Sequence, residues 1–143
     1  MWWSEDDRAE FERRAAELTS QYNEYKPFED MAVNGDLTLG ENIGDLGGMA
    51  VAYKAYQMSL EGKAAPEIDG LTGDQRFFLG WAQIWRRLYR EPELRKRLLT
   101  DPHSPSEYRC NGIVSNMDAF YEAFSIKPDS PMYIAPESRV RIW

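Results

Sequence analysis

The chain has 143 residues, one domain's length, with 43% apolar and 13% aromatic residues, too rich in core formers for a disordered tail. Its net charge of −7, from 17 Lys and Arg against 24 Asp and Glu, opposes binding to a phosphate backbone, so no nucleic-acid partner is expected. No apolar run approaches the roughly 20 residues of a bilayer-spanning helix, so no membrane segment is expected, and the acidic stretch Ser4-Glu5-Asp6-Asp7 does not read as a signal peptide.

Five segments read as helical. The first runs from about Ser4 to Tyr25, where Phe11, Ala15, Leu18 and Tyr22 make one apolar stripe. Ser4 with Asp7 resembles a capping box, and Pro27 stops the element. Lys26 to Leu37 reads as a loop with the turn signal Asn34-Gly35-Asp36. The second helix runs from about Thr38 to Leu60. It carries Gly44, Gly47 and Gly48, each costing about 1 kcal/mol relative to Ala in a helix interior, which implies a face that a neighbouring backbone approaches closely.

The third helix opens at Thr72, with Gln75 at capping-box spacing. Its stripe of Phe77, Phe78, Trp81, Ile84, Trp85, Leu88 and Tyr89 reads most simply as core. A short basic helix follows over Pro92 to Leu99, and the basic stretch from Arg86 to Arg97 reads as a solvated face. Thr100 to Gly112 reads as irregular, with Pro102 and Pro105 around His103. Ser115 and Asp118 cap a last helix through Phe124, and the tail is Pro-rich and extended.

Two stretches bear chemistry. Glu41 and Asp45 lie four apart, so both carboxylates leave one helix face. Two like charges in a tight site need a counter-charge: a metal, an arginine or a protonated partner. A metal ligand with a supporting carboxylate is one reading, and a helix-dipole contact beside a solvated carboxylate is the other. In Asp101-Pro102-His103-Ser104-Pro105 the prolines restrict the position of the sole histidine. Arg109 offers a forked donor to a carbonyl or carboxylate. The same stretch also reads as a surface loop with a hydrogen-bonded histidine and a salt-bridged arginine. Cys110, the sole cysteine, reads as a small buried residue, since no second histidine is present to activate it.

Glu41-Asn42-Ile43-Gly44-Asp45-Leu46-Gly47-Gly48 resembles the E-N-x-x-D-x-G-G motif of the neprilysin-type zinc endopeptidases, the group that includes the endothelin-converting enzymes and bacterial relatives. The resemblance extends through Ala52-Tyr53-Lys54-Ala55-Tyr56, Gln75 to Trp85 (Q-x-F-F-x-x-x-A-Q-x-W), Asp101 to Gly112 (D-x-H-S-P-x-x-x-R-x-x-G), Asn116 to Phe124 (N-x-x-x-F-x-x-A-F) and the terminal Trp143. It implies a mainly α fold, the C-terminal helical part of a thermolysin-like catalytic domain, occupying 1–143 as a single unit. It implies zinc as cofactor, with Glu41 as a ligand and Asp45 accepting a hydrogen bond from a ligand histidine. It further implies His103 as the group that stabilises the oxyanion, Arg109 as a binder of a substrate carbonyl, and Ile84 with Trp85 lining the S1′ pocket. The implied substrates are short peptides.

One departure carries weight. The family's H-E-x-x-H helix, source of two ligand histidines and the general base, is absent from these residues; in family order it precedes the pair that Trp2-Trp3 resembles. The chain is therefore expected to be a C-terminal fragment, inactive alone, binding zinc weakly or not at all, and partnered by the missing H-E-x-x-H portion. The alternative expectation is a non-catalytic binding or homo-oligomerisation module using the uncovered surfaces. Val140 stands where animal members carry a cysteine, which favours a bacterial relative; cytoplasmic and exported locations both stay open.

Overall fold

The computed structural model describes residues 3–142; Trp2 of the Trp2-Trp3 pair and the terminal Trp143 lie outside the described residues. Ser4 caps α1 (Glu5–Asn23), its hydroxyl accepting from the Asp7 amide at 3.0 Å. The second half of the expected box differs: the Asp7 carboxylate accepts from the Ser4 hydroxyl rather than from its backbone. Ala15, Leu18 and Tyr22 are buried as the stripe predicts, and Phe11 packs at the edge of the core.

The second helix, α2 (Gly35–Ser59), starts three residues before the expected Thr38. Asn34 is its cap, accepting from the Leu37 amide at 3.0 Å; asparagine serves helix caps and turns alike, so the local signal was ambiguous. Gly35 is required for packing. A Cβ there would sit 2.3 Å from the Thr19 carbonyl oxygen of α1. Gly47 is half-buried, whereas Gly44 and Gly48 differ from expectation: at these two, and at Gly40 one turn earlier, nothing lies within 4 Å of an added Cβ, and all three are exposed. Their face is open, not closely packed.

The capping box of Thr72 and Gln75 opens α3 (Gly73–Ile84) as expected. This helix stops before the aromatic stripe ends. Phe78 is the buried centre, ringed by Tyr53, Phe77, Phe120 and Phe124, but Ile84 is 60% exposed and Leu88 fully so. Trp85 and Tyr89 leave the helical path for other partners: Trp85 lies under Arg109, and the Tyr89 hydroxyl meets Ser106 Oγ at 2.7 Å. Arg86 and Arg87 thus lie off any helix, and the basic residues from Arg95 to Arg97 sit on α4 (Glu91–Thr100).

A helix, α5 (Ser106–Val114), occupies much of the stretch expected to be irregular. Its start is compatible with Pro105, whose carbonyl accepts from the Tyr108 and Arg109 amides, because a proline is tolerated where no amide need be donated. Gly112 lets α5 approach α1: an added Cβ would stand 2.9 Å from the Tyr22 hydroxyl oxygen. Ser115 caps the C-terminus of α5 rather than starting α6 (Asp118–Phe124), which follows Met117 with no side-chain cap.

Packing joins α1 to α2, α2 to α5 and α3 to α6. The described residues contain six α-helices and a short 3-10 turn, with no strand beyond two isolated bridges; the fold is mainly α, as the resemblance implied. None of these helices is long and apolar enough to cross a membrane.

The tail differs from the expected extended form: it turns over 128–132 and again through the 3-10 turn Pro136–Ser138 before an extended end, and it is held without a covalent tie. Val140, 3% exposed, donates its amide to Asn116 Oδ1 at 2.7 Å. The Asn116 amide group donates to Gly112 O and Gln21 Oε1, both at 2.9 Å. Arg139 lies 3.5 Å over the Tyr121 ring and pairs with Asp118. Asn116→Ala strands a buried backbone donor and is expected to cost about 2 kcal/mol; urea unfolding checks this, and a change under about 0.5 kcal/mol, ordinary for surface positions, would contradict it.

Candidate functional site

The stretches singled out in sequence come together from three elements. Glu41 and Asp45 project from α2, Arg109 from α5, and His103 from the segment between α4 and α5. Arg109 grips Asp45 with two parallel hydrogen bonds, Nε to Oδ2 at 2.6 Å and Nη2 to Oδ1 at 2.8 Å. The Arg109 and Asp45 side chains are 17% and 11% exposed. A forked, partly desolvated pair of this kind is strong and geometrically specific, and the Asp45 bond holds the Arg109 guanidinium above its ordinary pKa. The counter-charge that the two carboxylates require is therefore an arginine. Arg109 Nη2 also stands 3.7 Å from Glu41 Oε2, and its guanidinium lies 4.3 Å over the Trp85 ring.

His103 is held on both sides. Its Nδ1 stands 2.8 Å from Asp101 Oδ1, which also accepts from the His103 amide at 3.0 Å. Its Nε2 faces Glu41 Oε2 at 3.2 Å. The Asp101 contact is an Asx-turn, the local motif in which an aspartate bonds the backbone two residues on. Burial works against ionising Asp101, but the His103 amide and ring, with Arg97 at 2.8 Å, outweigh it and leave this carboxyl below its usual range.

A cavity of about 190 Å³ adjoins the cluster, bordered by Trp85, Arg87, Arg97, His103 and Arg109 among others. Trp85 thus faces the cluster, whereas Ile84, at the end of α3, is 60% exposed and is not among the residues bordering this cavity. Asp101 and Arg97 complete the cluster beyond the residues expected from sequence; the Asp-Pro-His spacing of the Asx-turn is the local signal for Asp101. Asn42 and Ser104, neighbours of Glu41 and His103, likewise lie beyond those expected.

Cys110 is partly buried, and burial pushes its thiol up to about 11. At pH 8 about one thiol in a thousand is then ionised, so alkylation by iodoacetamide should run far slower than in the urea-unfolded chain; equal rates would contradict this.

Among the described residues no group of three or more His, Cys, Asp or Glu side chains is arranged to hold a metal ion. Catalytic zinc takes three protein ligands, and here one carboxylate, Glu41, stands open at the rim, 45% exposed, with Asp45 committed to Arg109. These residues do not make a zinc site by themselves.

The family model of peptidase family M13 matches residues 1–140. Endothelin-converting enzyme 1 of Homo sapiens is 40% identical over 146 residues, and neprilysin-1 of Caenorhabditis elegans is 40% identical over 149. Each alignment covers 99% of this chain, and the chain spans 18% and 19% of those relatives' lengths. The zinc metalloprotease Zmp1 of Mycobacterium tuberculosis, solved with an inhibitor, superposes with a TM-score of 0.97 at 53% identity, over 100% of this chain and 23% of that one. PepO of Lactobacillus rhamnosis gives a TM-score of 0.79 at 32% identity, over 97% of this chain and 20% of that one.

The helical fold is therefore that of a metallopeptidase part. The chain belongs to peptidase family M13, the neprilysin family, whose homologues here are zinc metalloendopeptidases.

Proposed function

We propose that this chain is the C-terminal part of a zinc endopeptidase acting on short peptides, and that it supplies Glu41 to a composite zinc site. The observation that supports this reading most is the meeting of Glu41, Asp45, His103 and Arg109 in one cluster from three elements. Two further ligands, the histidines of an H-E-x-x-H helix in the family's pattern, would come from outside these residues. When bound in such a site, zinc polarises a carbonyl and activates water.

The chain's own groups have separable tasks. His103 Nε2 donates to the oxygen that gains charge in the tetrahedral intermediate, with Asp101 fixing the ring through Nδ1. Among the described residues Arg109 Nη1 has no hydrogen-bond acceptor while Nε and Nη2 hold Asp45, so Nη1 is the donor for a substrate carbonyl. Each Asp45 oxygen engages Arg109 through one lone pair, and a second remains to accept from a ligand histidine. Trp85 and Ile84 supply apolar surface to the substrate's side chain.

The test is reconstitution. The 143-residue chain, mixed with the H-E-x-x-H portion of its peptidase, is expected to cleave a quenched fluorescent peptide in a chelator-sensitive way. Neither part is expected to do so alone, and Glu41→Ala should abolish the cleavage. Hydrolysis that survives Glu41→Ala, or tight zinc binding by the isolated chain, would sink the reading. Self-association is the competing reading, favoured by the open face of α2 with Val51 and Met58 about 70% exposed; a monomer in light scattering at high concentration counts against it.

A further inference from the structure

We propose that Asn42 and Ser104 form a buried positioning pair that sets the spacing between Glu41 and His103. The proposal rests on the reading of Glu41 and His103 as members of one site. Each member of the pair is the immediate chain neighbour of a site residue. Ser104 Oγ donates to Asn42 Oδ1 at 2.8 Å, and the two residues are 3% and 1% exposed. The amide end of Asn42 donates to Thr38 Oγ1 at 3.0 Å, and that hydroxyl donates to Asn34 O at 3.0 Å. Both ends of the Asn42 carboxamide therefore have partners, which fixes its orientation.

The geometry of the two elements makes the coupling direct. On α2, consecutive side chains diverge by about 100°, so Asn42 turns into the core while Glu41 stands at the rim. Around His103 the chain is not helical: Ser104 is buried where His103 is 45% exposed. The inner residues meet at 2.8 Å and the outer ones at 3.2 Å.

The causal order follows from burial. An ion pair between two half-exposed side chains is screened and weak, so the Glu41–His103 contact cannot hold the segment against α2. A buried hydrogen bond whose loss leaves an unpaired carbonyl oxygen resists opening far more. Asp101 orients the His103 ring, but it belongs to the same segment and cannot tie that segment to α2.

Because the chain has a single histidine, nuclear magnetic resonance tests this without ambiguity. The probe is the nuclear Overhauser effect between the His103 ring protons and the Glu41 Hγ protons. It is expected in the parent chain and in Thr38→Val, which disturbs the same buried network but leaves the Ser104 bond in place. It should be lost in Ser104→Ala and Asn42→Ala while core methyl signals stay dispersed. Ser104→Ala removes one hydroxyl and little volume, so it decides the matter if Asn42→Ala unfolds. Persistence of the effect in Ser104→Ala overturns the proposal, as does unfolding by that variant, since the pair would then hold the fold and not one spacing. Absence of the effect in the parent chain overturns the underlying one-site reading instead.

Discussion

Asp45→Ala is expected to destabilise the chain by about 3 kcal/mol in urea unfolding, near the low end for removing one partner of a desolvated ion pair. The reason lies in what remains. Arg109 keeps a guanidinium that is 17% exposed, with Glu41 at 3.7 Å as its nearest remaining carboxylate. The Trp85 ring beneath it compensates only in part. The double variant Asp45→Ala/Arg109→Met removes the charge together with its need for a partner and should recover much of the loss. Methionine retains an apolar stem over Trp85. If the double variant is as unstable as the sum of the two single ones, the pair is not coupled and Asp45 contributes through something other than its charge.

Such coupling explains which parts of the site were legible in sequence. The need for a counter-charge near Glu41 and Asp45 followed from their four-residue spacing, and so did its menu of candidates. That the partner is Arg109, 64 residues away, depended on a helix at Ser106–Val114 that the prolines concealed. Local propensity describes Pro105 equally well as a loop residue and as a helix start, and packing of Gly112 against Tyr22 decides between them. The stripe of α3 failed in a related way: its period continues to Tyr89, but Trp85 and Tyr89 find better partners at Arg109 and Ser106. Asn42 carries no such signal, because a polar residue inside a motif is indistinguishable, by spacing, from its solvated neighbours. Its burial becomes evident only when Ser104 arrives from 62 residues away.

The glycines of α2 lead to the other large effect, whose sign is opposite to the usual one for glycine in a packed face. Because nothing lies within 4 Å of a Cβ at Gly40, Gly44 or Gly48, the triple alanine variant should stabilise the isolated chain. Each replacement in an exposed helix interior is worth about 0.8–1 kcal/mol, so about 2–3 kcal/mol in all. A helix that bears three such residues at one-turn intervals forgoes that stability. On the proposed composite site, the return is close approach by another backbone, that of the H-E-x-x-H portion. Gly44 and Gly48 share the helix stripe of Glu41, so a backbone seated there lies beside the open carboxylate, where the proposed site needs its remaining ligands. The same triple variant should therefore weaken association with the H-E-x-x-H portion in the reconstitution, as read by the concentration needed for half-maximal hydrolysis. Greater stability with unchanged association would show that the open face is not the seat. Lower stability would show that α2 is covered within this chain.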